Sequence, residues 1–304
     1  MNNKVARKSK VGPLLKEDYL SPLPLPTGEL PADSLNIIWR KNNVFMDVGY
    51  YCIASGVMVM WPSMMLCLWI AYATNDPDVL LLGGAIFSVP IALMLRSLFV
   101  PVPLPIRFNR QRREVCVSVA KGEYWVVPWE TVTAMGTESS TINQAGKQTQ
   151  GLLLIGFTYP DPHGNAMNKN FTIGFNCGGG ISAMKLWECM RSYMEIGPDA
   201  VEDPPDNAHH PKGILATYWR NLIKAAGQKG WPLAIVWDGF FGIFIFNVLL
   251  VIALERLKLN PPPELTWPEI VEWSKPIPPE QWAKRSPELE AAIAQREAEL
   301  ALRD

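Results

Sequence analysis

The stretch from Val48 to Ala73, VGYYCIASGVMVMWPSMMLCLWIAYA, decides the fold class. None of its 26 residues is charged, and about 20 apolar residues are enough to cross the hydrocarbon core of a bilayer. A second uncharged stretch, from Val79 to Leu95, reaches that length if Arg96 extends its guanidinium group to the interface. We therefore predict transmembrane helices over 48–73 and 79–98, joined as a tight hairpin by 74–78.

A third apolar stretch begins at Trp231, and we predict a third transmembrane helix over 231–257. The only charge between Trp231 and Leu254 is Asp238, which lies about two turns inside, where a carboxylate can reach the headgroup region. A buried core helix is the alternative interpretation for each stretch, and Asp238 leaves it most open for the third. Taken together, the three stretches predict a membrane protein.

The chain-wide composition hides these segments. The 304 residues are 48% hydrophobic and 19% charged with a net charge of −1, averages that resemble those of a soluble enzyme. The near-zero charge excludes a polycationic nucleic-acid binder or a polyacidic protein as a description of the whole chain. Five cysteines in 304 residues exclude a disulfide scaffold.

Basic residues predict the orientation in the membrane, because short basic loops stay on the cytoplasmic side. Basic residues precede the first and third spans and follow the second, whereas the link 74–78 has none. They include Lys4, Arg7, Lys8, Lys10, Lys16, Arg40, Lys41, Arg96, Arg107, Arg220, Lys224 and Lys229. We therefore expect a cytoplasmic proline-rich N-terminal segment (1–47) and a cytoplasmic middle region. Three crossings place the tail, 258–304, in the periplasm, although Arg256 and Lys258 argue against this last step. The first span begins too late for a signal peptide, so we expect the chain to stay anchored.

Residues 101–200 are predicted to form one β-rich domain of an α+β protein. Alternating or β-rich runs occur at 115–119, 124–127, 129–135, 152–159 and 171–175, with turn chemistry at 161–165. An amphipathic helix from about Ile181 to Glu195 follows, with an apolar stripe of Ile181, Met184, Trp187, Met190 and Met194. Strands closed by one helix after a two-span hairpin resemble the bacterial pleckstrin-homology-like (PH-like) arrangement; a different α+β domain is the alternative.

Two basic regions are predicted to contact anionic lipids on the inner face. The linker 201–230 contains an amphipathic helix over 213–227, in which Trp219, Arg220 and Lys224 suit the membrane surface; packing on the β-rich domain is the alternative. The second region is the cluster Arg107, Arg110, Arg112 and Arg113, for which nucleic acid is the alternative ligand.

The residues that usually carry catalysis show no convincing arrangement. His163 lies in a turn-like segment and His209–His210 in a polar linker, with no cysteine or acidic partner at zinc-ligand spacing. A Cys177–His163 nucleophile pair and a phosphate cradle at 176–180 are weak alternatives. We predict free thiols and no catalytic, cofactor-binding or metal-binding residue, and hence no enzymatic activity.

The proline-spaced tail contains three tryptophans among acidic residues. Trp267, Trp273 and Trp282 are predicted to bind a partner, since aromatic side chains bury much area at interfaces. Folding back onto the same protein is an equally weighted alternative. Ser286–Pro287 predicts the start of a last helix that continues to Leu302.

Four motifs together resemble one known family. They are PLPLP at 22–26, PIRFNRQRREV at 105–115, VPWE at 127–130, and Trp187–Glu188 followed by RSYMEIGP at 191–198. They are similar to proteobacterial inner-membrane proteins that carry a domain of unknown function and are often encoded beside type VI secretion effectors. The resemblance, over about 20–260, implies a bacterial inner membrane and a link to toxin delivery or self-protection, and it implies no catalytic residues.

On these grounds we expect a membrane-anchored binding protein, an immunity protein that neutralises a cognate secreted effector by direct binding. The alternative is a membrane-bound adaptor or lipid-sensing module that assists effector loading. The expected partners are the effector and anionic lipids but not nucleic acid, and no cofactor is expected. Small residues, Ala54, Gly56, Gly83 and Gly84, allow close helix packing within the chain or in a homo-oligomer.

Overall fold

The computed structural model describes residues 8–11, 15–19, 23–51, 53–143, 146–159, 169–204 and 213–302. The chain divides into two compact units. The sheet unit comprises Met1–Tyr50, Leu104–Pro204 and Glu264–Asp304, and the helical unit comprises Tyr51–Pro103 and Pro205–Pro263. The expected turn at 161–165 with His163, the pair His209–His210 and Cys52 lie outside the described residues.

The described part of the sheet unit contains two five-stranded antiparallel sheets. In chain order the strands are β1 (Lys8–Val11), β2 (Leu15–Tyr19), β3 (Ile38–Lys41), β4 (Phe45–Val48), β5 (Ile106–Asn109), β6 (Glu114–Ala120), β7 (Glu123–Pro128), β8 (Thr133–Asn143), β9 (Gly146–Tyr159) and β10 (Lys169–Asn176). One sheet has the order β3-β4-β5-β6-β7 and the other β1-β2-β8-β9-β10. The β6–β7 turn passes through Gly122, whose φ of +82° suits glycine. The predicted α+β class is confirmed.

The hydrophobic core contains side chains from both sheets and from helix α3 (Gly180–Glu195). Trp129 and Trp187 are fully buried and stack with ring centroids 5.3 Å apart. Of the expected apolar stripe of α3, Met184, Trp187, Met190 and Met194 are buried, whereas Ile181 is 61% exposed at the start of the helix. Trp129 belongs to a short 3₁₀ turn, Trp129–Thr131, so the strand expected over 129–135 begins only at Thr133.

The N-terminal segment contributes to the sheet unit instead of forming a separate region. β3 and β4 extend the sheet of β5, and Ile38, Met46 and Val48 enter its core. Upstream of these strands, Thr27 lies against the outer side of α3. Its N–H and hydroxyl donate hydrogen bonds to the Glu188 carboxylate at 3.1 and 2.9 Å. Because α3 is covered on both sides, its polar residues Glu188, Arg191, Ser192 and Glu195 are buried.

The helical unit begins with an antiparallel helical hairpin, α1 (Ala54–Thr74) and α2 (Asp78–Phe99). α1 starts six residues later than expected, since Val48, the first residue of the expected span, is the last residue of β4. Asn75 turns the chain in the left-handed conformation, and Asp76 Oδ1 accepts a hydrogen bond from the Asp78 N–H at 2.9 Å. A Cβ at Gly83 would collide with Cys67 Sγ, so glycine allows the helices to approach closely here.

The third apolar stretch is broken rather than forming one transmembrane helix. Its first arm, Trp231–Phe244, consists of α5 (Trp231–Ala234), a π-helix over Ile235–Phe241 and α6 (Gly242–Phe244). Its second arm is α7 (Val248–Leu259), and the two arms meet at an angle of 71°. Asn247 adopts a left-handed conformation at the break, where its Oδ1 accepts from the Leu250 N–H. The single helix expected over 231–257 is therefore corrected.

Candidate functional site

The motif Arg107–Arg113 covers the end of β5 and the turn into β6. Arg107 is only 3% exposed, and its Nε and Nη2 donate to the two carboxylate oxygens of Asp47 at 2.6 and 2.7 Å. Its Nη1 donates to Ser274 Oγ in the tail at 2.9 Å. A bidentate guanidinium–carboxylate pair is strong and directional, so Arg107 joins β4, β5 and the tail.

At the other end of the motif, Arg113 is paired with Glu195, the last residue of α3. Its Nη2 and Nη1 donate to the carboxylate at 2.8 and 3.1 Å, Trp129 Nε1 donates at 2.8 Å, and Arg285 Nε at 2.5 Å. Burial acts to raise the pKa of Glu195, but the hydrogen bonds and charge of Arg113, with Trp129 and Arg285, lower it below its ordinary value. The carboxylate therefore stays ionised at neutral pH.

The middle of the motif binds the backbone of the tail, by which we now mean the described residues 264–302. Asn109 Nδ2 and Arg112 Nε both donate to Trp273 O, at 2.9 and 3.0 Å. Gln111 accepts the Ile277 N–H through its side chain and the Ala283 N–H through its carbonyl, each at 2.9 Å. We call Arg107–Arg113 the tail-binding turn, since most of its side chains contact this segment.

The three tryptophans expected to bind a partner anchor the tail instead. The Trp267 ring lies 4.8 Å from that of Tyr124, and Trp273 Nε1 donates to Glu114 at 2.6 Å. Trp282 Nε1 donates to Ile277 O at 3.1 Å. In helix α8 (Pro268–Trp273), the buried Ile270 packs with Cys116. The structure thus shows the alternative in which the tail folds back on its own chain.

Two arginines of the tail-binding turn are buried within the protein, which corrects the expectation that these two contact lipid. Arg107 and Arg113 are buried against Asp47 and Glu195. Arg112 is bonded to the tail, and Arg110 donates to Ile196 O at 3.2 Å, with its guanidinium 5.3 Å from the Trp282 ring centroid. Buried acids are the charged partners of Arg107 and Arg113, whereas lipid contact by the half-buried Arg110 and Arg112 stays a prediction.

The other predicted lipid contacts lie on helix α4 (Ile214–Lys229). Leu215, Trp219 and Ile223 recur every four residues and are 71%, 57% and 47% exposed, whereas Leu222 and Ala226 face the interior of the helical unit. Lys224 is exposed and Arg220 is half-buried beside this apolar face. An exposed apolar face with basic neighbours is typical of a helix at a membrane interface, and lipid contact by Trp219, Arg220 and Lys224 stays a prediction.

The second arm of the broken stretch returns toward the end of α2. At the end of the first arm, Phe244 O accepts a hydrogen bond from Trp61 Nε1 at 3.2 Å. Trp61 lies about 10 Å along α1 from Ala54, the first residue of that helix. Fourteen residues after Phe244, Lys258 Nζ donates to Leu98 O and Val100 O at 2.7 and 2.8 Å. With 12 residues α7 is about 18 Å long, short of the ~30 Å hydrocarbon core.

The tail and the sheets belong to one compact unit. Leu265 and Ile270 share a hydrophobic cluster with Cys116 of β6, and Leu289 and Ile293 share another with Leu23. The periplasmic location expected for the tail stays a prediction, and the tail packs with the middle domain that was expected on the cytoplasmic side.

The three buried cysteines of the sheet unit are unsuited to nucleophilic chemistry at neutral pH. Burial raises the pKa of the thiols of Cys116 and Cys189 to about 12 and that of Cys177 to about 11. Among the residues that the structure describes, no three His, Cys, Asp or Glu side chains cluster in a way that could hold a metal ion.

The fold and these contacts define a class: an α+β protein with two antiparallel sheets and two long apolar helices. Within the described ranges, α1 and α2 are long and apolar enough to cross a bilayer, and side chains such as Trp69 and Leu81 are mostly exposed. The chain belongs to a family of unknown function, DUF6708, whose model matches residues 84–276. This range begins in α2 and ends in the tail just after α8, so it contains the tail-binding turn and α8 but not Ile277 or Ala283, which the turn also binds. Neither a curated protein nor a solved structure matches the chain.

Several residues of this site were missed by the sequence analysis. Asp47 is the last charge before the first apolar stretch, and Glu195 lies inside the quoted RSYMEIGP motif, but neither was given a role. The sequence did contain a signal for these two acids. An isolated acid among apolar residues needs a buried basic partner, and the arginine-rich motif supplies such partners. Ser274 and Arg285 carry no local pattern that distinguishes them.

Proposed function

We propose that the protein is a membrane-anchored binding protein whose sheet unit and tail face the bacterial cytoplasm. The observation that carries the proposal is the packing of the tail into the sheet unit, which gathers the described polar domain on one side of the membrane. The protein acts by binding rather than by catalysis. The buried, neutral thiols support this, and turnover by the purified protein would overturn it.

We propose that two helices cross the inner membrane and that the broken third stretch enters and leaves on the same side. The shortness of α7 and the bonds of Lys258 at the end of α2 support this arrangement. It also places Arg256 and Lys258 with Arg96 on the cytoplasmic side, in agreement with the positive-inside rule. The link 74–78, which contains two aspartates and no basic residue, then faces the periplasm.

The sheet unit is proposed to be PH-like. The support is the order of its elements: a four-stranded meander β4–β7, then a three-stranded meander β8–β10, and then α3, which packs on β8 and β9. In this arrangement the membrane hairpin is an insertion between β4 and β5. The segment around Thr27 and the tail are additions: the first lies against α3, and the second packs on Cys116 of β6.

The proposed partner is a secreted toxin of a type VI secretion system, which the protein neutralises as an immunity protein. The support is the resemblance of its motifs to a family often encoded beside such effectors. Because Trp267, Trp273 and Trp282 are used inside the chain, the toxin would contact other surfaces of the sheet unit. Anionic lipids would meet the exposed face of α4.

The test is survival of a strain that lacks the gene, grown in contact with siblings that carry an active effector system. The proposal expects killing of the deletion strain, rescue by the full chain, and co-purification of the chain with one effector. Full resistance of the deletion strain would contradict it. If survival is unchanged but effector secretion falls, the second candidate function, a membrane-bound adaptor for effector loading, replaces the immunity function. The exposed apolar face of α4 favours this second candidate, because such a face would allow the protein to sense lipid.

A further inference from the structure

The helical unit contains a cavity of about 410 Å³ that the proposed function does not use. Its walls come from α1, α4 and both arms of the broken stretch, and its lining includes Met58, Leu222, Trp237, Phe246 and Val248. The volume lies within the ~300–1,000 Å³ typical of small-ligand sites. The lining is predominantly apolar, which suits a hydrocarbon chain.

One ion pair interrupts this apolar lining. Lys229 Nζ lies 2.6 Å from Asp238 Oδ2, and both side chains are about one-third exposed, at 36% and 37%. Asp238 is the single charge that the sequence places inside the third apolar stretch. An ionisable side chain in such a segment is costly and usually marks a functional site with a defined partner.

The backbone at this point is irregular in a way that supports a binding role. Asp238 lies in the π-helix Ile235–Phe241, and Tyr218 of α4 donates its hydroxyl to Asp238 O at 3.2 Å. Short π-helical segments are rare and frequently occur at functional sites. Tyr218 and the nearby Asn221 add polar groups to the same wall of the cavity.

We propose that this cavity binds one phospholipid with an ammonium-bearing zwitterionic headgroup. The acyl chain lies against Met58, Leu222 and Phe246, the phosphate meets Lys229, and the ammonium group meets Asp238. The argument for this occupant is charge complementarity: a positive and a negative group side by side match a zwitterion. An anionic lipid without the ammonium would gain from Lys229 but be repelled by Asp238.

The chemistry also separates ethanolamine from choline headgroups. A primary ammonium donates hydrogen bonds to a carboxylate, as lysine does, whereas a quaternary ammonium has no N–H to donate. The cavity is therefore expected to prefer phosphatidylethanolamine over phosphatidylcholine and over phosphatidylglycerol. This inference does not depend on the identity of any protein partner.

The test is native mass spectrometry of the full chain, purified and titrated with each of these three lipids carrying identical acyl chains. Wild type is expected to bind one phosphatidylethanolamine in preference to the other two. Leu222→Trp fills the cavity and is expected to reduce this occupancy at least tenfold. Leu257→Trp is the matched control, since it makes the same change at a 70% exposed position of α7 that does not line the cavity.

Asp238→Asn provides a second measurement that preserves the shape of the cavity and decides the matter if Leu222→Trp does not fold. Loss of the carboxylate is expected to abolish the preference for ethanolamine over choline and to raise relative binding of phosphatidylglycerol. Equal occupancy in wild type and Leu222→Trp would overturn the proposal. So would a headgroup preference that Asp238→Asn leaves unchanged.

Discussion

The buried charges of the sheet unit are paired between distant parts of the chain. The Asp47–Arg107 pair joins β4 to β5, which lie on either side of the helical hairpin in the chain, and the Glu195–Arg113 pair joins the end of α3 to the turn before β6. Removing Arg107 leaves the buried Asp47 with Arg40 at 3.3 Å, and removing Glu195 leaves the buried Arg113 with Glu130 at 3.2 Å. Loss of the main partner of a buried charge costs more than the loss of an exposed pair. These residues thus couple the tail to the sheets by electrostatics as well as by apolar packing.

Replacing Glu195 tests this coupling. Glu195→Ala leaves Arg113 buried and removes the acceptor for Trp129 and Arg285, so we expect a loss of about 3–5 kcal/mol in the free energy of unfolding. Denaturant unfolding followed by tryptophan fluorescence measures it. The control is Glu297→Ala, on the exposed side of α9 (Pro287–Ala301), with an expected change within about 0.5 kcal/mol. Equal effects of the two substitutions would refute the coupling.

The same carboxylate predicts a pH dependence. Its pKa is lower in the folded than in the unfolded chain, where it is about 4.3, so its contribution to stability is complete above that value. The contribution is lost as the pH falls through the lower, folded pKa. Between pH 5 and 3 the unfolding temperature of wild type should therefore fall more steeply than that of Glu195→Gln. Parallel slopes would show that Glu195 does not titrate as described.

The buried thiols predict slow chemical modification. Because their pKa values are raised to between about 11 and 12, Cys116, Cys177 and Cys189 are almost entirely protonated at pH 7.5. Maleimide labelling mapped by peptide mass spectrometry should find these three unmodified in the folded protein and modified in guanidinium chloride. Rapid labelling of any of them in the folded protein would contradict the burial described.

Among the elements, α8 is the part of the tail whose attachment is easiest to test. Ile270→Ala removes a buried contact with Cys116 and is expected to cost about 2–5 kcal/mol locally, whereas Val271→Ala changes a 48% exposed neighbour. Limited proteolysis should cut the tail of Ile270→Ala much faster than that of Val271→Ala. Identical cleavage rates would show that α8 is not held by this cluster.

The elements that sequence reasoning found are those with a clear local period. The spacing of Met184, Trp187 and Met194 predicted α3, and Ser286–Pro287 predicted the start of α9. The break in the third stretch escaped notice because a segment that returns has the same apolar composition as one that crosses. Asn247, which adopts a left-handed conformation more readily than most residues, was the available signal.

The tail-binding turn was beyond local reasoning. A run of arginines beside a predicted span satisfies the positive-inside pattern whether or not acids pair with it. Only tertiary structure brings Asp47, Glu195 and Trp273 to the three parts of this motif. For the same reason, aromatic residues in the tail predicted docking but could not distinguish the same chain from a partner.

For the whole molecule, the central claim is that the chain crosses the membrane twice and that the sheet unit and the tail lie on the same side. The claim combines the shared clusters of the tail and sheets with the short second arm that ends beside Leu98. It revises the three-span topology and removes the conflict with Arg256 and Lys258. It also makes the link 74–78 the expected exposed point on the opposite side.

Labelling of single introduced cysteines by a membrane-impermeant maleimide, in vesicles of known orientation, tests this claim most directly. Lys275→Cys in the tail and Lys121→Cys in the β6–β7 turn replace exposed side chains, and Asp76→Cys lies in the link between α1 and α2; wild type measures the background. The account predicts that Lys275→Cys and Lys121→Cys react from one side and Asp76→Cys from the other. Labelling of Lys275→Cys from the same side as Asp76→Cys would contradict it.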